Sequence, residues 1–268
     1  MQPEIACRTG VLPDFLIIGA QKCGTTSLYE YLIQHPDIYA ATTKEVGYFD
    51  RYYQKGLPWY RSQFPSAFRK WYVRLILGRA FLTGEASTGY ILNPHALKRI
   101  SKIVPKAKLI LMLRNPVDRA YSHYQHALRM TRESLSFEEA VKKEPERIGD
   151  TWKRMLEDEN YYNLDIALYA YLKTGLYIDQ VRVLMSYFPK EQVLIIKNED
   201  FDANPAAVVK RVLKFLGVDV QKQLDYSRRN TGEYRDMDAR VRKNLIDYFR
   251  PYNQQLYQFL GVNLDWER

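Results

Sequence analysis

The 268-residue chain predicts an α/β fold, a central parallel sheet flanked by helices in three layers, and three observations carry that expectation. Two short apolar runs, residues 15–18 and 109–113, have the bounded length of parallel strands covered on both faces. Each run ends at a loop that opens a helix, and the order strand, loop, helix recurs from residue 15 to residue 217. No composition break, repeat or low-complexity linker divides the chain, so residues 1–268 read as one domain long enough to bury a sizeable core.

The first strand, Phe15-Leu16-Ile17-Ile18, runs into Gly19-Ala20-Gln21-Lys22-Cys23-Gly24 and then into a helix opened by Thr25-Thr26-Ser27. Glycines at both ends let the backbone approach an anion, and the helix-start amides and dipole supply positive potential. The spacing is that of a G-x-x-x-x-G-K-[ST] phosphate loop, but Thr25 stands where the lysine belongs and Lys22 lies inside the loop. A P-loop-like element with a displaced lysine suits a donor other than a nucleoside triphosphate with its magnesium. An ordinary strand-to-helix turn would explain Gly19 and Thr26, not the convergence of a lysine and three hydroxyls. Those hydroxyls equally suit helix capping.

The second strand ends on Arg114 where a metal-assisted NTPase would place an aspartate, which argues for a second anion site and against a metal. Pro116 is well placed to open a helix that sets Arg119, Ser122 and His126 at spacings of three and four on one face. Each has a bland reading: a surface ion pair for Arg114, a solvated position for Ser122, a packed ring for His126.

Together these two segments resemble the donor-binding motifs of sulfotransferases that use 3'-phosphoadenosine 5'-phosphosulfate (PAPS). In that family a lysine at the position of Lys22 serves the 5'-phosphosulfate loop. An arginine and a serine eight residues later, matched by Arg114 and Ser122, grip the 3'-phosphate. The run 115–126 is especially similar to the heparan sulfate and glycosaminoglycan N- and O-sulfotransferase branch and its bacterial members. The resemblance implies a PAPS-dependent sulfotransferase that releases 3'-phosphoadenosine 5'-phosphate (PAP). Lys22, Gly24, Thr25, Thr26 and Ser27 would hold the 5'-phosphate, and His126 falls where the N-sulfotransferases have a catalytically implicated histidine.

Transfer to a hydroxyl or amine requires a base. Lys44-Glu45-Val46-Gly47-Tyr48-Phe49-Asp50 resembles the Lys-Glu-x-x-x-Phe-Asp stretch that carries the family's catalytic glutamate and a supporting aspartate. Glu45 is therefore the expected base, an effect typically worth about 10²–10⁴-fold. Lys44 reads equally as a solvated charge. Lys22 is expected to neutralise charge on the bridging oxygen as the phosphate departs.

The resemblance continues more loosely. Residues 175–201 should give a helix and a later parallel strand, residues 204–217 a helix, and residues 236–260 another. Arg228 and Arg229 fall in a stretch where relatives close a loop over the nucleotide, and are candidate donor contacts. One departure concerns the acceptor: Ala86 stands where the glycosaminoglycan enzymes have a lysine facing the reaction centre, which weakens the case for an anionic chain unless another cation substitutes. The acceptor classes left open are a saccharide, a small phenol or alcohol, and a hydroxyacyl group on a carrier protein. Rival readings are a P-loop nucleotide kinase or NTPase and a non-catalytic polyanion-binding protein.

The net charge of +9 fits a multiply phosphorylated donor. Nucleic acid is not the expected partner, because Trp59, Tyr60, Trp71 and Tyr72 read as core or cleft wall rather than a stacking platform. Only Cys7 and Cys23 occur, so no disulfide framework is expected, and Cys23 should simply pack. With no apolar run near the ~20 residues that span a bilayer, and no apolar signal core in residues 1–12, the expectation is a cytoplasmic protein.

Overall fold

The computed structural model describes residues 10–220, 224–227 and 236–267. Five strands, β1 (Phe15–Gly19), β2 (Ile38–Ala40), β3 (Leu82–Ala86), β4 (Lys108–Leu113) and β5 (Val193–Lys197), form one sheet in the order β2-β3-β1-β4-β5. Every pairing is parallel, with Phe15 in register with Gly84 on one side and Lys108 on the other. All five β1 residues are buried, as are the last five of β4. Strands hidden this completely need helices over both faces, which is why they read as unbroken apolar runs.

The helices are α1 (Thr25–Leu32), α2 (Gly56–Ser62), α3 (Ala67–Trp71), α4 (Pro94–Ile103), α5 (Pro116–Arg129), α6 (Phe137–Glu157), α7 (Leu164–Tyr169), α8 (Tyr177–Tyr187), α9 (Asn198–Ala203), α10 (Pro205–Leu216) and α11 (Ala239–Leu260). Helix α1 packs on α10, while α4, α8 and α11 pack in series. Local chemistry sets most of the boundaries. Asn93, Asn115, Ser136, Asn163, Asn204 and Asp238 cap α4, α5, α6, α7, α10 and α11 by accepting from first-turn amides. Proline occupies the first turn of α4, α5 and α10, where its missing N–H costs nothing. The helices expected over 204–217 and 236–260 are α10 and α11, the latter starting only after the Asp238 cap.

Helix α11 packs on α8 and α5, and the chain beyond it buries Trp266 against Tyr177 and Tyr257. That anchor reaches the centre of the sheet: Asn115 Nδ2 donates to the Trp266 carbonyl at 3.3 Å, and the Asn115 amide donates to Glu199 at 2.7 Å. The turn after β4 is thereby held from two sides. The loops leaving β1, β3 and β4 meet at the carboxyl ends of three adjacent strands, where open α/β sheets bind ligands. No helix among the described residues is long and apolar enough to cross a membrane.

Candidate active site

A cleft of about 960 Å³ opens at those strand ends, and Lys22, Gly24, Thr25, Thr26, Ser27, Glu45, Arg114, Ser122 and His126 all line it. Arg228 and Arg229 lie outside the described residues.

The β1–α1 loop turns on Gly24, whose φ of 83° lies in the left-handed region. A Cβ there would come within 2.8 Å of Asn198 Nδ2, so the position is closed to larger residues twice over. Gly24 is also the helix cap, and having no side chain it makes no cap bond to the first turn of α1. Seven other helices, among them α3 with Ser66, satisfy first-turn amides with an Asn, Ser or Asp side chain. Residues Thr25, Thr26 and Ser27 occupy the first turn rather than the cap position and line the cleft, so the start of α1 opens on it behind a glycine cap, the arrangement that suits a phosphate.

Lys22 is strained and electrostatically primed. Its φ is 68°, and among the described residues only Glu45, Thr131 and Asp265 also combine a side chain with positive φ. Burial, with the Arg129 and Arg114 guanidiniums beside it, holds its ammonium down to about 8. A cation crowded by cations in a cleft is waiting for an anion. Arg114 follows β4 directly, its guanidinium donating to the Lys22 carbonyl at 3.5 Å while its own carbonyl accepts from Tyr177 at 3.0 Å. Cys23 is fully buried and burial pushes its thiol up to about 11, a packing residue with no nucleophilic character.

The stripe expected on the helix after Pro116 divides. Ser122 and His126 of α5 reach the cleft, whereas Arg119 is wholly buried, with its guanidinium on the Tyr171 carbonyl. Arg119 shares the face of His126 but lies two turns nearer the start of α5, where the chain around Tyr171 covers the helix, and from there its charge still bears on Lys22. Arg129, three residues past His126, continues the cleft stripe, and the same periodicity extended one step would have found it. Burial and then Lys22, Arg129 and Arg132 shift the His126 imidazole down from its ordinary value, toward the neutral form.

Glu45 is held at φ 58° by its amide, which donates to the Ala86 carbonyl at 2.9 Å. Its carboxylate accepts from the Thr88 amide at 2.9 Å and from the Thr88 hydroxyl at 3.2 Å, and pairs with Lys44 at 2.8 Å. Lys44 is thus an ion-pair partner of Glu45 and not a solvated charge. Asp50 sits below, its Oδ1 buried without a partner among the described residues, and burial pushes its carboxyl up to about 7. A Cβ on Gly89 would meet Asp50 Oδ2 at 2.2 Å.

The loop carrying Glu45 rests on a carboxylate that the sequence reading did not single out. Glu85, fully buried at the end of β3, accepts from Ser87 (2.6 Å), Tyr60 (2.8 Å) and Tyr90 (2.9 Å). The Ser87 and Tyr90 oxygens in turn accept from the amides of Gly47 and Tyr48. Burial outweighs the three hydroxyl donors and lifts Glu85 to about 7. The far rim comes from the α6–α7 region, with Tyr161, Tyr162 and Asn163, and Arg51 lies 4.7 Å over the Tyr162 ring. The aromatics expected as core or cleft wall are corrected here: Tyr60 is core, but Trp71 and Tyr72 are exposed and none of the four lines the cleft.

Known proteins similar to this chain are sulfotransferases. A solved sulfotransferase from Alicyclobacillus acidocaldarius is 34% identical, covering 96% of this chain and 100% of that one, with a TM-score of 0.75. The membrane-associated sulfotransferase kil1 of Dictyostelium discoideum is 27% identical over 96% of this chain and 67% of its own length. The human bifunctional heparan sulfate N-deacetylase/N-sulfotransferase 3 is 32% identical over 93% of this chain, which spans only 30% of that larger protein. The sulfotransferase-domain family model matches residues 12–237, and the chain therefore belongs to the sulfotransferase family.

Proposed function

We propose that residues 1–268 act as one domain that transfers a sulfonyl group from PAPS to an amine or hydroxyl of a saccharide or small alcohol, releasing PAP. The observation that carries this reading is the meeting of Lys22, Glu45, Arg114 and Ser122 in one cleft, beside the glycine-capped start of α1. Arg114 and Ser122 would read the 3'-phosphate, and the amides of Thr25, Thr26 and Ser27 the 5'-phosphate. As the acceptor's lone pair forms a bond to sulfur, the bond from sulfur to the bridging oxygen breaks and its electron pair stays on the departing phosphate. Lys22 stabilises that charge, and Glu45 takes the acceptor's proton.

An anionic saccharide suits the acceptor side. Ala86 lacks the cation of the glycosaminoglycan enzymes, but Lys44 on Glu45 and Arg51, Arg129 and Arg132 on the cleft wall supply positive charge. The heparan sulfate relative supports the same class. A cytoplasmic location goes with two cysteines and no disulfide framework.

Incubation with radiolabelled PAPS tests the proposal, using N-desulfated heparan fragments, a simple phenol and a hydroxyacyl carrier protein as acceptors. Label should pass to the heparan fragments fastest, and Glu45→Gln should slow transfer by about 10²–10⁴-fold. If PAP bound tightly while no acceptor took label, the non-catalytic polyanion-binding reading would replace this one.

A further inference from the structure

Helix α3, continued by a wide helical turn over Tyr72–Ile76, inverts the usual arrangement of a surface helix. Phe68, Trp71, Tyr72, Leu75 and Ile76 stand at i, i+3, i+4, i+7 and i+8, the spacing of one apolar stripe that normally faces a core. Here it faces outward: Phe68 is 70% exposed, Leu75 68% and Ile76 57%. The other side holds the element down. Val73 is buried, Arg69 lies 4.8 Å over the ring of Tyr39 on the edge strand β2, and Lys70 pairs with Asp14 at 3.2 Å. The stripe is therefore presented by a docked helix, and it lies outside the cleft.

Charge identifies what fits it. Residues 51–84 contain seven Arg or Lys and no Asp or Glu. Lys70 and Arg79 pair with Asp14 and Asp37 and Arg51 lies on the cleft wall, so Lys55, Arg61, Arg69 and Arg74 carry the excess positive charge of the segment. A second copy would bring the same excess against itself. An anionic bilayer meets both demands, taking rings and aliphatic chains into the headgroup boundary while phosphates neutralise the arginines and lysines. We propose that the α3 stripe docks this protein peripherally on anionic lipid surfaces.

Vesicle flotation tests this with phosphatidylcholine alone and with about one third phosphatidylglycerol added, each at low and high salt. The protein should float with the anionic vesicles, less with neutral ones, and less at high salt. The triple variant Phe68→Ser, Leu75→Ser, Ile76→Ser should lose more than about tenfold in vesicle affinity, since three apolar contacts disappear. Because these side chains are exposed, its melting temperature and its transfer rate to a soluble acceptor should stay unchanged. Absence of flotation with anionic vesicles would overturn the proposal, as would flotation that the triple variant leaves intact. A concentration-dependent dimer in velocity sedimentation, abolished by the triple variant while vesicles are ignored, would make the stripe a self-association surface instead.

Discussion

The Lys22 side of the cleft is held by main chain, whereas the Glu45 side is held by buried side chains. Around Lys22 the positioning elements are the end of β1, the left-handed Gly24 and the start of α1 that it caps, all within ten residues of sequence. Around Glu45 the loop hangs on Ala86, Ser87, Thr88 and Tyr90, and through Ser87 and Tyr90 on Glu85, about forty residues away. The first arrangement resists titration because amides carry no ionisable proton. The second rests on carboxyls that burial pushes up to about 7. On the protein side donor binding should therefore depend on pH through Lys22, and the Glu45 loop through its buried acids.

The largest expected effect separates the two sides outright. Glu45→Gln should lower kcat by about 10²–10⁴-fold while leaving PAP affinity unchanged, because the base touches only the acceptor's proton. A matching loss of PAP affinity, measured by calorimetry, would show that the two sides are not independent.

Next comes the buried acid under the loop. Glu85 has a folded-state value near 7 against an ordinary 4.5, so its neutral form is favoured in the fold. The stability it contributes is present below about pH 4.5 and is lost as pH rises through 7, by up to about 3 kcal/mol. Glu85→Gln should flatten that slope in denaturant unfolding measured from pH 5 to 8. An unchanged slope would assign it to other groups, Asp50 first.

Lys22 gives the corresponding test on the donor side. The free protein holds this lysine at about 8, and a bound phosphate favours its charged form. Affinity for PAP should fall above pH 8 by up to about tenfold per unit, with proton uptake on binding, and fall again below about pH 6 as the ligand's own phosphates take up protons. Lys22→Ala should remove the fall above pH 8.

The smallest effect concerns strain. Left-handed backbone at a non-glycine residue costs roughly 1–3 kcal/mol. Lys22→Gly should thus stabilise the fold by about 1 kcal/mol in thermal unfolding while it cripples transfer, a trade of stability for function. Destabilisation would mean that the Lys22 side chain packs more than it strains.

What the sequence made legible follows the same division. A glycine loop between a strand and a helix is contiguous, so Lys22, Gly24 and Thr25 could be read directly, and the strand ending on Arg114 likewise. Glu45 required a family motif. Glu85 was invisible because a single acid gains meaning only from three hydroxyls brought in by folding, and Tyr161 and Tyr162 reach the cleft on an excursion of their own. Periodicity exposes the stripe of α3 but carries no sign, so Trp71 and Tyr72 were expected inside. Arg119 fails for the opposite reason: its spacing put it on the right face, but two turns before His126 that face is covered by the chain around Tyr171.

Calorimetric titration with PAP, AMP and ATP with magnesium, on the wild type and on Arg114→Ala, tests the donor site most directly. Tight binding of PAP alone, lost in the variant because the 3'-phosphate has no arginine to meet, is the result expected. Tighter binding of ATP with magnesium, or PAP affinity indifferent to Arg114, would contradict it.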